Sequence, residues 1–298
     1  MSLLKSESID TEQNADKEES VYVDGLGNVP RNIYMHVKSD PLGDLPRYSL
    51  HIVIQHFFIF VSFIFLAVTG LSLHFSDVWW APHIMSIFGG PDNARVVHRI
   101  AAAAMIAAAV YHLLTLITGS LRKILRKEFS ISRTQFPMLK DIKDLVQDIQ
   151  YFLGIRRFRP KMGKFMYKQK MHYLALLWGT FVMITAGSTL LYPELMAKVW
   201  PDPAFFQDLA RLMHADEAIM AMIVIVFWHW TNVHLVPGRF PLQWTFLTGK
   251  ITREHQIEEH FMEYLHNLQE IPEEKEYLRQ VLKEYFGNDE YGGSKDDK

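Results

Sequence analysis

Four apolar stretches set the limits on what this chain folds into. They run from His51 to about Phe75 (HIVIQHFFIFVSFIFLAVTGLSLHF), about Ala94 to Thr118 (ARVVHRIAAAAMIAAAVYHLLTLIT), about His172 to Tyr192 (HYLALLWGTFVMITAGSTLLY) and Met213 to about Pro237. Each reaches about twenty residues, the length an α-helix needs to cross a hydrocarbon layer of about 30 Å. Lipid offers the backbone no hydrogen-bond partners, so such segments are helices. The expected fold is all-α, an integral membrane four-helix bundle with spans near 52–75, 94–118, 172–192 and 214–236.

Lysine and arginine orient the bundle. The 75–97 connection carries only Arg95, and the 193–213 connection carries Lys198 and Arg211. The long connection between helices two and three, 119–170, carries fourteen, among them LRKILRK and GIRRFRPK. Positive loops stay inside, so this connection and both termini are expected in the cytoplasm. Trp79, Trp80 and Trp200 then fall at the outer interface, where tryptophan is favoured. The sequence divides into a polar cytoplasmic segment 1–46, the four-helix unit 47–249, and a cytoplasmic tail 250–298. That tail reads as a helix or two ending in a disordered NDEYGGSKDDK. Its acidic excess from Glu258 onward reads first as a solvated tail. A surface helix is expected over Met138–Leu153, where Leu139, Ile142, Leu145, Val146 and Ile149 repeat at helical spacing.

Composition removes several function classes. There is no cysteine, which excludes Cys-ligated iron–sulfur clusters, CxxCH haem attachment and thiol catalysis by this chain. A net charge of −2 gives no argument for nucleic acid. The acidic, polar beginning is not expected to be a signal peptide.

Histidine remains, fourteen residues of it. An ionisable residue inside a span is a functional candidate by default. Toward the outer face lie His98 and His214; toward the inner face lie His56, His112 and His229, with His51, His172 and His234 at the inner boundary. At about 100° and 1.5 Å per residue, His98 and His112 share one face of helix two, and His214 and His229 share one face of helix four, roughly 22 Å apart. His234 is about 200° round from His214 and faces away unless the helix kinks. Two imidazoles on a six-coordinate iron suit electron transfer, because no position is left for substrate. Spacing therefore proposes an outer haem between His98 and His214 and an inner haem between His112 and His229, with His56 competing for the inner site. The alanine run of helix two, with Gly70, Gly179 and Gly187, allows close helix packing and also leaves room for a flat macrocycle.

The chain resembles the membrane cytochrome b (gamma) subunits of respiratory formate dehydrogenases and related hydrogenase-type cytochromes b. The resemblance covers Tyr48 to Gly249. It rests on QHFFIFVSFIFLAVTGL, with a histidine fourteen residues before a Gly-Leu; on ARVVHRI opening helix two; on GKFMYKQK before helix three; and on RLMHADEA with FWHW on helix four. It implies two haem b groups, the outer held by His98 and His214 and the inner by His56 and His229. His112 is extra to the family pattern. Either it displaces His56, or it lines a quinone pocket, or a third haem is present. The resemblance also implies a cytoplasmic-side site for menaquinone or ubiquinone. Gln169, Lys170, His172 and His234 are its candidates, although Met166 and Lys168 stand where the family has other residues. Helix four spaces its histidines by fifteen, where the family has fourteen.

The function so implied is a multi-pass, membrane-anchoring electron-transfer subunit in the cytoplasmic membrane of a prokaryote. It would pass electrons between an iron–sulfur or other redox subunit and the quinone pool. Two alternatives use the same spans: a proton or ion transporter with a histidine relay, and a non-redox membrane anchor.

Overall fold

The computed structural model describes residues 19–40, 42–199, 202–236 and 239–287. The ends 1–18 and 288–298, Trp200 and Pro237 lie outside the described residues. Two short strands come first, β1 (Ser20–Val23) and β2 (Gly27–Pro30), then a 3₁₀ turn (Arg31–His36) and β3 (Leu45–Pro46). Helices follow: α1 (Leu50–His74), α2 (Ala81–Ile87), α3 (Pro91–Leu125), α4 (Leu139–Phe152), α5 (Tyr167–Leu191), α6 (Pro193–Met196) and α7 (Pro203–Ile223). A π-helical segment (Val224–Trp230) leads into α8 (Thr231–His234), followed by α9 (Thr245–Thr248) and β4 (Lys250–Ile251). The chain ends in α10 (Arg253–Glu259), α11 (Phe261–Glu270) and α12 (Pro272–Phe286).

The protein is mostly helical. Helices α1, α3 and α5 are each long and apolar enough to cross a membrane. The fourth apolar run is helical from Pro203 to His234, its winding changing at Val224. The chain divides into two compact units, one of residues 47–131 and 171–249, the other of 1–46, 132–170 and 250–298.

The first unit is built for an apolar solvent. In α1 the buried residues are Val53, Gln55, Ser62, Thr69 and Ser72, mostly polar, while Phe57, Phe58, Ile64 and Phe65 point outward. The inward hydroxyls are satisfied along the helix: Thr69 Oγ1 donates to the Phe65 carbonyl and Ser72 Oγ to the Val68 carbonyl. Small polar residues of this kind let helices approach in lipid. α1 packs most extensively on α3. Gly249 closes the unit. Its carbonyl accepts from the amides of Arg47 (2.8 Å) and Tyr48 (2.9 Å). Its φ of 70° and the Tyr48 carbonyl against its α-carbon leave no room for a side chain.

The second unit gathers pieces from both ends and the middle of the chain. The β1–β2 hairpin, with Val21 opposite Val29, packs beside the 3₁₀ turn. Ile33 and Tyr34 of the turn, with Val37 just after it, share one core with Ile257, Phe261, Tyr264, Leu268, Leu278 and Leu282. Residues 19–46 and 251–282 thus form a packed core, where the sequence showed only a polar segment and suggested a solvated tail. The apolar residues are too sparse within each piece to show a core until the pieces meet. Ion pairs stitch the middle piece in. Arg159 donates to Asp148 at 2.8 and 3.1 Å and to Glu259 at 3.2 Å, and the Arg31 guanidinium donates to the Arg159 carbonyl at 2.7 Å. Burial alone would depress Arg159, but Asp148 and Glu259 hold its guanidinium charged and raise its pKa.

Candidate functional site

The outer histidines meet. His98 on α3 and His214 on α7 have ring centroids 6.3 Å apart with planes inclined at 70°. Imidazole–metal bonds are about 2.0–2.1 Å and a ring centre lies about 1.1 Å behind its ligating nitrogen, so rings opposed across one iron sit about 6.3 Å apart. The residues present therefore fit a bis-imidazole haem iron.

What surrounds the pair strengthens the fit. His98 Nδ1 lies 2.9 Å from Thr69 Oγ1. The Thr69 hydroxyl has one proton, and that proton goes to the Phe65 carbonyl. Thr69 therefore accepts from His98, so Nδ1 carries the hydrogen and Nε2 keeps its lone pair. A ligating histidine is commonly held this way by its other ring nitrogen. His214 Nδ1 is buried without a partner in hydrogen-bond geometry, although the Met183 carbonyl interacts with it electrostatically. Each ring rests on a glycine. A Cβ at Gly70 would stand 3.0 Å from His98 Cε1, and one at Gly187 would stand 3.2 Å from His214 Cε1. A third glycine, Gly179, gives room to Glu217 on α7. Gln207 Nε2 donates to the Thr189 carbonyl at 2.8 Å, tying α7 to α5.

The inner histidines are arranged differently. His229 stacks on His172, centroids 5.0 Å apart and planes within 18°. By the same arithmetic these two rings, stacked face to face, are too close to share an iron. His56 and His234 flank Phe246, at 5.9 and 5.6 Å. Both lie within electrostatic range of His229. The Nδ1 atoms of His56 and His172 are buried without hydrogen-bond partners. His234 Nδ1 accepts from the Gln243 amide at 3.0 Å. His112 stands apart as a hydrogen-bond node. Its Nδ1 is 2.8 Å from Gln55 Oε1, an acceptor, and its Nε2 is 3.1 Å from the Tyr173 hydroxyl. Both ring nitrogens are engaged. Gln169 and Lys170 belong to the other unit. Gln169 Oε1 accepts from the Met166 amide, and Lys170 is ion-paired with Asp141.

Counting α-helical residues misplaces the lower end of the last helix, because it is not α-helical throughout. From His214 the chain runs nine α residues to Ile223 and then six π residues to His229. At about 100° per α residue and about 82° per π residue the total is roughly 50° short of four turns, close to what a fourteen-residue α spacing gives. The π segment absorbs one extra residue and restores the phase. It also brings His234 round to about 75° from His214, where ideal counting gave about 200°. Thr69, Gln55, Tyr173 and Phe246 carried no sequence signal of their own. Gly70 and Gly187 did, as small residues, but not the specific rings they seat.

No protein-family profile matches the chain. The cytochrome b556 subunit of the nitrate-inducible formate dehydrogenase of Escherichia coli K12 is 20% identical over 196 residues, 63% of this chain and 81% of the relative. The same subunits from Escherichia coli O157:H7 and Shigella flexneri match equally. The chain bears a distant likeness to a membrane cytochrome b.

Proposed function

We propose that this chain is a membrane-anchoring, b-type haem electron-transfer subunit of an oxidoreductase complex, working between a partner redox subunit and the quinone pool. The observation that carries this reading is the His98–His214 pair, spaced at 6.3 Å, seated on two glycines and oriented by Thr69. His98 and His214 would hold the outer haem. His56 and His229 would hold the inner one; His112 has both nitrogens occupied by protein, while His56 Nδ1 has no partner. Haem held by two histidines supplies one-electron chemistry without an open position for substrate. The chain's own residues fix the tautomer, exclude water and set the spacing. His172, stacked on His229, and His234 are the nearby groups available to a quinone and its protons.

The shared core supports four crossings. Residues 19–46 and 250–287 share one hydrophobic core, so they lie on one side of the membrane, and the number of spans between them is even. Helices α1, α3 and α5 supply three. The helix from Pro203 to His234 supplies the fourth, giving a four-helix bundle. The basic 119–170 connection favours the cytoplasm for that side, in the inner membrane of a prokaryote on this reading.

The test is a reduced-minus-oxidised spectrum of the purified protein with a haem count per chain. Two haems are expected, a b-type band included. His98→Ala and His214→Ala should remove the same haem, His56→Ala and His229→Ala the other, and His112→Ala neither. Absence of any b-type band would sink the proposal and favour a histidine proton relay or a plain anchor.

A further inference from the structure

Helix α4 is amphipathic in the reverse sense to a helix packed in a soluble domain. At about 100° per residue, Leu139, Ile142, Val146, Ile149, Phe152 and Leu153 occupy one arc of roughly 140°. All six are exposed, Leu139 to 86% and Phe152 to 66%. The acidic residues face inward. Asp148 is fully buried and accepts from Arg159 and Tyr167. Asp144 is buried against Lys140, and Asp141 accepts from Lys170 at 2.9 Å. A contiguous exposed apolar face of this kind marks an interaction surface.

Two observations say what covers it. The inward face of α4 is bonded to the first turn of α5, through Tyr167 to Asp148 (3.0 Å) and Lys170 to Asp141. α5 is one of the helices long and apolar enough to cross a membrane, so α4 is fastened where a span begins. The charge left at the outer face is also of one sign. Lys143 is exposed about 40° beyond Leu139, on the rim of the apolar arc, while all three aspartates of the helix are turned inward and paired. An apolar stripe with a cation at its edge is what an interfacial helix offers an anionic bilayer.

We infer that α4 lies in the membrane interface, with Ile142, Val146 and Ile149 at the acyl boundary and Lys143 among anionic headgroups. The inference rests on reading α3 and α5 as membrane spans; it is independent of the haem assignment. The chain has no cysteine, so single labels have no background. Ile142→Cys, Val146→Cys, Ile149→Cys and Gln147→Cys, each carrying a nitroxide, are placed in full-length protein in nanodiscs containing phosphatidylglycerol. Ile117→Cys on α3 reports on the span itself. Labels at 142, 146 and 149 should relax preferentially with oxygen, and the label at 147 with a water-soluble nickel chelate. The oxygen preference should fall in wholly neutral lipid. Nickel preference at 142, 146 and 149, with oxygen preference intact at 117, would overturn the inference. So would exclusion of both probes, which identifies a protein or a second copy as the cover. An unchanged preference in neutral lipid would overturn the headgroup half. Loss of oxygen preference at 117 would instead refute the span.

Discussion

Replacing Thr69 by valine tests the outer site with little disturbance to packing. Valine keeps the shape of threonine and removes the oxygen that accepts from His98 Nδ1 at 2.9 Å. Thr69 is 1% exposed, so water cannot take over the role. Thr69 is one of two acceptors near His98, the Leu66 carbonyl being the other, so its removal costs at most the roughly 1–3 kcal/mol of a buried donor left unpaired, which at about 1.4 kcal/mol per tenfold is at most a five- to 150-fold loss of affinity. That agrees with the 10- to 100-fold effect of about this size seen when a ligand's supporting residue is removed. The assay is haem retained per chain after gel filtration, with the spectrum resolving which haem is lost. Thr69→Val should lose the outer haem and leave the inner; Thr69→Ser, which keeps the acceptor, should retain both. Full retention in Thr69→Val with unchanged dissociation kinetics would refute the argument that this hydroxyl fixes the tautomer of His98.

Other outcomes follow from the same structure. Gly187→Leu places a side chain where His214 Cε1 lies 3.2 Å from even a bare Cβ, so it should abolish the outer haem; an unaltered haem count counts against the pairing. Arg253 is buried against Glu274, and Arg253→Met should destabilise the polar-segment unit by about 3–5 kcal/mol by stranding the carboxylate; in thermal melts, adding Glu274→Leu should restore much of the loss. Burial raises the pKa of Tyr34, whose hydroxyl has no hydrogen-bond partner. A group held protonated in the fold contributes stability that is lost as pH rises past its unfolded value of about 10. Melting temperature should therefore fall above that pH, and less steeply in Tyr34→Phe, which should be at least as stable as the parent at pH 7. An equal slope in both proteins would show that Tyr34 does not contribute.

Much of the membrane unit was readable from the chain. A twenty-residue apolar run has one physical solution, and histidines within it are costly enough to stand out. His98 and His214 lie near the upper ends of regular helices, so counting residues sufficed to align them. Below Ile223 the counting assumption failed, because a π turn changes the angle per residue and nothing in VIVFWHW announces it. The stack of His172 on His229 was invisible for the same reason. Helix α4 was legible in extent, since its pattern repeats at helical spacing, but not in sense: the pattern cannot say which face looks inward. The polar-segment unit was the least legible part. Tyr34 meets Phe261 and Tyr264 across more than two hundred residues, and no local pattern encodes that contact.

The way this core is assembled makes it a check on membrane insertion. In the proposed topology the two contributions to the core would precede the first span and follow the last, and the middle piece, tied in through Arg159, would fall between the second and third. If one hydrophobic helix fails to enter the bilayer, every later piece emerges on the opposite side and the core cannot close. Because α10–α12 follow the apolar helices in the chain, Ile33 and Tyr34 would stay uncovered until those helices had entered the bilayer. An incorrectly threaded or truncated chain would therefore expose the aromatic surface of Tyr34 that Phe261 and Tyr264 cover in the complete unit, so correct topology would be a condition for closing this core.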